Sequence, residues 1–83
     1  MDKFLIEVYI PALNRSYDVY IPTLTKLHEV EALLAAAITE LSDGYFTAGQ
    51  DTMLCDQESG ILLDINQSAI ELGLQNGSRL MLI

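Results

Sequence analysis

The chain has 83 residues, of which 51% are hydrophobic, and its twelve acidic and four basic side chains give a net charge of −8. This length supports one domain with a single modest core, and the even spread of apolar residues excludes an intrinsically disordered chain. The bases Lys3, Arg15, Lys26 and Arg79 are scattered, whereas phosphate binding needs them clustered, so we expect no nucleic-acid partner.

Several other classes of protein are also excluded. No apolar run approaches the roughly 20 residues that cross a bilayer, and the N-terminus lacks a signal-peptide pattern, so we expect a cytoplasmic protein without direct membrane insertion. The only cysteine, Cys55, fits a reducing compartment and is expected to be buried and unreactive. With one histidine, His28, which we expect on the surface, the chain has too few ligands for a structural zinc site, and we expect no metal or cofactor.

The first two elements are predicted to be strands joined in a hairpin. Residues 3–10 alternate, and their predicted core side carries Phe4, Ile6, Val8 and Ile10. In residues 15–21 the same alternation puts Tyr17, Val19 and Ile21 on one side and Asp18 and Tyr20 on the other. The stretch 11–14 supplies the turn, and Pro22, which has no N–H to donate, ends the second strand.

A helix follows, with Thr25 as its predicted N-cap. Its apolar residues recur at helical spacing and predict one stripe against the sheet, made of Leu27, Val30, Leu34, Ile38 and Leu41. Small residues occupy the opposite face, namely Ala32, Ala35, Ala36 and Thr39. Gly44 suits the left-handed conformation that ends many helices.

The second half of the chain reads as short elements. We predict a loop over 45–51 with Tyr45 or Phe46 under the helix, a strand over 52–56, and a turn leading to 61–63. Ser68 is expected to cap a helical turn from which Ile70, with Leu72 or Leu74, faces inward. A last strand over 78–83 is expected to place Leu80 and Leu82 on the core side.

The order hairpin, helix, short strands and final strand indicates an α+β domain with a four- to five-stranded mixed sheet packed on one helix. If the last strand pairs in parallel beside the first, the fold is a β-grasp. The segment Leu72-Gly73-Leu74, followed by Asn76-Gly77 and the closing strand, resembles the ubiquitin-like superfamily. Tyr17-Asp18-Val19, Pro22 before the helix and the overall length resemble the YukD/EsaB family of type VII secretion accessory proteins.

That resemblance implies a cytosolic ubiquitin-like protein that serves a membrane secretion machine of Gram-positive bacteria by protein contacts. Its partner would be a cytoplasmic part of the secretion complex, and a homo-oligomer is also possible. The final strand ends at Ile83 without the Gly-Gly tail that conjugation requires, so we expect no conjugation. A sulfur carrier of cofactor biosynthesis is the alternative, should the native chain extend to such a tail.

No catalytic constellation stands out, so we do not expect an enzyme. Paired-carboxylate hydrolysis would need Asp51 to meet Asp56, Glu58 or Asp64 in a cleft, and solvated acids are the simpler interpretation.

We compare three candidate binding surfaces. On the outer sheet face, neighbouring first and last strands would bring together Leu5, Tyr9, Met81 and Ile83, and a clustered apolar patch usually indicates a partner. The alternative is that isolated exposed apolar side chains are ordinary. The alanine face of the helix is better explained by helix propensity, and an open strand edge is discouraged by Asp18 and Pro22.

Overall fold

The computed structural model describes residues 2–44 and 52–83. Its elements in chain order are β1 (Lys3–Ile10), β2 (Arg15–Pro22), α1 (Leu27–Leu41), β3 (Leu54–Asp56) and β4 (Arg79–Leu82). The strands form one sheet in the order β2-β1-β4-β3, with β1 and β4 parallel and the other pairs antiparallel. The predicted mixed sheet with one helix is therefore confirmed, with four strands.

The core lies between one face of this sheet and the helix. The predicted alternation of β1 is confirmed, because Ile6, Val8 and Ile10 are buried while Leu5 is exposed. Leu80 and Leu82 of β4 lie on the same side, as predicted. The helix contributes the buried side chains Leu27, Val30, Leu34 and Ile38. Burying a side chain of this size stabilises the fold by about 1.5–3 kcal/mol.

The helix begins at Leu27, so the predicted N-cap at Thr25 is wrong. Lys26 is the N-cap, and it makes no side-chain capping bond. Instead, the Leu27 N–H donates to the carbonyl oxygen of Gln67 at 2.9 Å, and the next N–H donates to another carbonyl of the 64–68 segment. The first N–H groups of a helix need acceptors, and here backbone from a distant part of the chain supplies them.

The C-terminal end of the helix uses backbone turns. Gly44 has a φ of 82°, which confirms its predicted left-handed conformation, and the preceding Asp43 is also left-handed at 54°. The Gly44 N–H donates to the Thr39 carbonyl at 2.9 Å and the Asp43 N–H to that of Glu40 at 3.1 Å. These two bonds form a Schellman motif, which satisfies carbonyls that the helix leaves open.

Two predictions about the helix faces are wrong. Leu41 is exposed, and Ala35, predicted on the outer face, is buried. The buried row continues from Leu34 through Ile38 to Ser42 at intervals of four residues, which leaves Leu41 beside the row rather than on it. In the described ranges 2–44 and 52–83, no helix has both the length and the apolarity needed to cross a bilayer.

The segment after β3 follows the prediction only in part. The turn after β3 leads to residues 61–63 as predicted, and Leu62 makes a single bridge to Cys55. Ser68 caps a turn as predicted: its N–H donates to Glu71 Oε1 at 2.9 Å, and the Glu71 N–H donates to Ser68 Oγ at 3.3 Å. This reciprocal pair is a capping box.

The inward-facing residue of this turn is Ala69, which is fully buried, whereas Ile70 is exposed and its predicted position is wrong. The Ile70 N–H donates to the Thr23 carbonyl, and this anchors the turn one residue away from the expected orientation. Leu72 and Leu74 pack against the core, as predicted. The predictions for the 45–51 loop, including Tyr45 and Phe46, lie outside the described residues.

Replacing Leu34 with aspartate should unfold the domain, because it places an unpaired charge between helix and sheet. We expect Leu34→Asp to lower the free energy of unfolding by at least about 3 kcal/mol, measured by urea denaturation. The matched control is Leu33→Asp at the adjacent, 59% exposed position, with an expected change under about 1 kcal/mol. Equal losses in the two variants would contradict the observed helix orientation.

The capping box should give the stability of the protein a specific pH dependence. The pKa of Glu71 is lowered from its ordinary 4.5, first by the hydrogen bond from the Ser68 N–H, then by the Ser68 hydroxyl, with a smaller contribution from Lys26. A depressed folded-state pKa stabilises the fold fully above the unfolded-state pKa, and this contribution is lost as the pH falls through the folded-state value.

We therefore expect Glu71→Gln to be less stable than the parent at neutral pH, with the gap closing as the pH falls below 4.5. Urea denaturation between neutral and acid pH measures this gap. About 0.5 M salt screens Lys26 while leaving the hydrogen bonds in place, so most of the gap should survive. A gap that is the same at every pH would show that the carboxylate charge is irrelevant.

Candidate protein-binding face

The pairing of β1, β4 and the residue before β3 assembles apolar side chains on the sheet face away from the helix. Tyr9 lies directly opposite Met81. Met53 and Ile83 exchange two backbone hydrogen bonds, of 2.7 and 2.9 Å. Since paired residues share a face and alternate residues of a strand do too, these four form one group. We call Tyr9, Met53, Met81 and Ile83 the outer-face cluster.

The cluster combines exposed and half-buried side chains. Met53 is 43% exposed and Ile83 is 49% exposed, while Tyr9 and Met81 are half-buried between their neighbours. The Tyr9 hydroxyl donates to Asn14 Oδ1 at 2.9 Å, which ties the ring to the β1–β2 turn. A ring held in place before binding loses little side-chain entropy when a partner covers it.

The fourth predicted residue, Leu5, lies apart from the other three. It pairs with Tyr20 of β2, and both are exposed. Between this pair and the outer-face cluster, Arg79 Nε lies 3.8 Å from Glu7 Oε2. Arg79 is exposed and Glu7 is partly exposed, so the pair contributes little stability, but it divides the apolar surface of the sheet into two parts.

Sequence reasoning missed Met53 and Tyr20 as parts of this face. The signal for Tyr20 was present, because alternation already placed it on the side away from the helix. Met53 could not be found in this way, because Leu54 and Cys55 are both buried and the segment has no alternating pattern. Its position depends on the pairing with Ile83, which only the fold reveals.

Cys55 faces the same side as Met81 by register, yet it is buried. The backbone of residues 61–62 runs beside it along the edge of the sheet: the Asp56 N–H donates to the Ile61 carbonyl at 2.9 Å, and Leu62 bridges to Cys55. Burial raises the pKa of the Cys55 thiol, which disfavours the reactive thiolate. The predicted buried and unreactive thiol is consistent with this environment.

Two of the acidic side chains considered for catalysis, Asp56 and Asp64, accept hydrogen bonds within turns. Asp56 Oδ2 accepts bonds from the Ser59 N–H at 3.0 Å and the Ser59 hydroxyl at 2.7 Å. Asp64 Oδ1 accepts from the Asn66 N–H at 2.9 Å. Such local bonds are typical of Asx turns. Asp51 lies outside the described residues.

Two open clefts occur on the described surface. One, of about 630 Å³, lies between the β1–β2 turn and the end of the helix and includes Arg15, Tyr17 and Asp43. The other, of about 470 Å³, is lined by polar groups of residues 75–79 with Asp56 and Glu58.

Across residues 2–44 and 52–83, no group of three His, Cys, Asp or Glu side chains could hold a metal ion. His28 is exposed, as predicted.

No protein-family model matches the sequence, and a search of curated proteins found no match. Solved structures do match. The ubiquitin-like domain of the Mycobacterium tuberculosis type VII secretion system protein EccD1 is 20% identical, with a TM-score of 0.77 over 100% of this chain and 99% of that one.

A chain of the ESX-5 inner membrane complex is 17% identical, with a TM-score of 0.73 over 100% of this chain and 21% of that one. The ubiquitin of Caldiarchaeum subterraneum is 15% identical, with a TM-score of 0.74 over 98% of this chain and 91% of that one. At these identities the likeness is one of fold. It agrees with the parallel pairing of β1 and β4 beside a single helix. The chain therefore has the ubiquitin-like β-grasp fold.

Proposed function

We propose that this protein is a non-catalytic ubiquitin-like binding module that serves a type VII secretion system through protein contacts, in the manner of the YukD/EsaB family. The observation that carries the proposal is the end-to-end match in fold to the ubiquitin-like domain of EccD1, which leaves almost no part of either chain uncovered. A module of the same size and layering suits the same kind of role.

The chemistry of the outer sheet face supports binding rather than catalysis. Tyrosine and methionine are enriched at the cores of protein interfaces, and the outer-face cluster contains Tyr9 and two methionines side by side. The carboxylates of Asp56 and Asp64 are engaged in turns, and Cys55 is covered. We infer that the protein acts by presenting a surface, without being conjugated to substrates.

The partner that this proposal implies is a cytoplasmic part of a membrane secretion complex, which makes the protein itself cytoplasmic. Support comes from the ESX-5 inner membrane complex, in which the matching region is about a fifth of a longer chain. The net charge of −8 favours a partner with a basic surface around its contact site. Association should then slow as the salt concentration rises.

The double variant Tyr9→Ala with Met81→Ala should fold but bind its partner more weakly, because it removes the centre of the outer-face cluster. Loss of two central interface side chains should raise the Kd about tenfold or more. The measurement is calorimetric titration against the purified cytoplasmic portion of the secretion complex from the same organism. Circular dichroism of the variant checks that the fold is retained.

The matched control is Leu5→Ala with Tyr20→Ala, which likewise removes one tyrosine and one flexible apolar side chain, from the other side of the Glu7–Arg79 pair. Its Kd should stay within about threefold of the parent's, as expected for residues outside the contact. Equal weakening by both double variants would argue against the outer-face cluster as the contact site. A parent protein that binds no component of the secretion complex would overturn the proposed function itself.

A further inference from the structure

The two edges of the sheet differ in how they are covered. The outer side of β3 is occupied by the chain's own backbone, because the Asp56 N–H donates to Ile61 O at 2.9 Å and the Leu63 N–H donates to Leu54 O at 3.1 Å. The eight-residue strand β2 forms the other edge, with β1 on one side only. In the described part of the chain, β2 is thus the strand with an uncovered edge.

The hydrogen bonds of β1 determine which backbone groups β2 leaves open. The Glu7 N–H donates to Ser78 O at 3.0 Å and Leu5 O accepts from the Gly77 N–H at 2.8 Å, so odd-numbered residues of β1 face β4. Successive residues direct their backbone groups to opposite sides of a strand. Even-numbered residues of β1 therefore face β2.

The pairing of β1 with β2 shows which residues of β2 have open backbone groups. Even residues of β1 pair with odd residues of β2, as in Val8 opposite Tyr17. The bond from the Thr23 N–H to Asp2 O, at 2.9 Å, continues the same pattern beyond the strand. The open edge therefore presents the N–H and C=O groups of Ser16, Asp18 and Tyr20. Pro22 has no N–H and limits the usable edge at that end.

The side chains along this edge define what could pair with it. On the helix side, Tyr17 and Val19 pack against the core but remain partly exposed, so adjacent apolar side chains would cover them. On the outer side, Asp18 is exposed. Its charge discourages pairing with an apolar or acidic strand, whereas a basic residue opposite it would form a favourable cross-strand pair.

We propose that the β2 edge accepts an extended segment of another protein as an added strand, in which apolar residues alternate with basic ones. The apolar residues would lie beside Tyr17 and Val19, and a basic residue beside Asp18, over a length of about five to seven residues. The net charge of −8 favours a basic segment even though Arg15 begins β2. A second copy of this chain is disfavoured by the same charge, and symmetric pairing about Asp18 would oppose two carboxylates.

The test uses ¹⁵N-labelled protein and a synthetic peptide of about seven residues with blocked ends, in which valine alternates with lysine. We expect the amide signals of Ser16, Asp18 and Tyr20 to shift most and their hydrogen exchange to slow, because these amides gain partners. The amides of Tyr17 and Val19 already face β1 and should change less. The same peptide N-methylated at the positions that face β2 should not bind.

Charge variants test the chemistry of the occupant. Asp18→Lys should weaken binding of the lysine peptide by about threefold to tenfold, and it should improve binding of the corresponding glutamate peptide. The matched control is Glu58→Lys, which changes the net charge equally at an exposed position on the turn after β3, at the opposite edge of the sheet. This variant should leave the Kd within about twofold of the parent's.

Four results would overturn the proposal. The first is equal binding of the N-methylated peptide, which would exclude strand pairing. The second is a set of shifts confined to the outer-face cluster, and the third is equal weakening by Asp18→Lys and Glu58→Lys. The fourth is a change of the Ser16, Asp18 and Tyr20 signals with protein concentration alone, which would make a second copy the occupant. No secretion component enters this test, so its outcome is independent of the proposed function.

Discussion

The parallel pairing of β1 with β4 is the interaction on which the rest of the structure depends. It joins the two ends of the chain, with Val8 opposite Leu80 on the core side and Tyr9 opposite Met81 on the outer side. One register therefore determines both the packing under the helix and the composition of the outer-face cluster. It also determines the open edge, because β1 can pair with β2 only through the backbone groups that β4 does not use.

Long-range backbone bonds hold the remaining segments to this sheet. The 64–68 segment supplies acceptors to the first turn of α1, and Lys26 bridges to Ser68. The turn that follows is fixed by the capping box between Ser68 and Glu71. The connection between β3 and β4 thus stabilises the helix, and its Asp64 and Glu71 side chains accept hydrogen bonds within the connection itself. The outer face and the β2 edge are therefore the surfaces whose chemistry best supports binding.

The errors of the sequence-based predictions have a common origin. Alternation predicted the faces of β1 correctly, because the strand has one buried side and period two leaves no ambiguity. Thr25, Leu41 and Ile70 were misplaced by one or a few residues. In each case the local pattern allowed the prediction. Backbone bonds from a distant segment decided otherwise for Thr25 and Ile70, and the buried row from Leu34 to Ser42 in the helix itself decided otherwise for Leu41. The candidate site was predicted in part: Tyr9, Met81 and Ile83 share one side of the Glu7–Arg79 pair, while Leu5 does not.

The sequence by itself determined the class of fold, because the hairpin alternation, the helical stripe and the final strand each report a local hydrophobic period. It also determined the acidity, through its twelve acids and four bases. Only the tertiary structure decided that Met53 joins the outer face, that Glu7 and Arg79 divide that face, and which backbone groups β2 leaves open. These features depend on strand order and register, which are set by contacts between residues far apart in the chain and leave no local pattern to read.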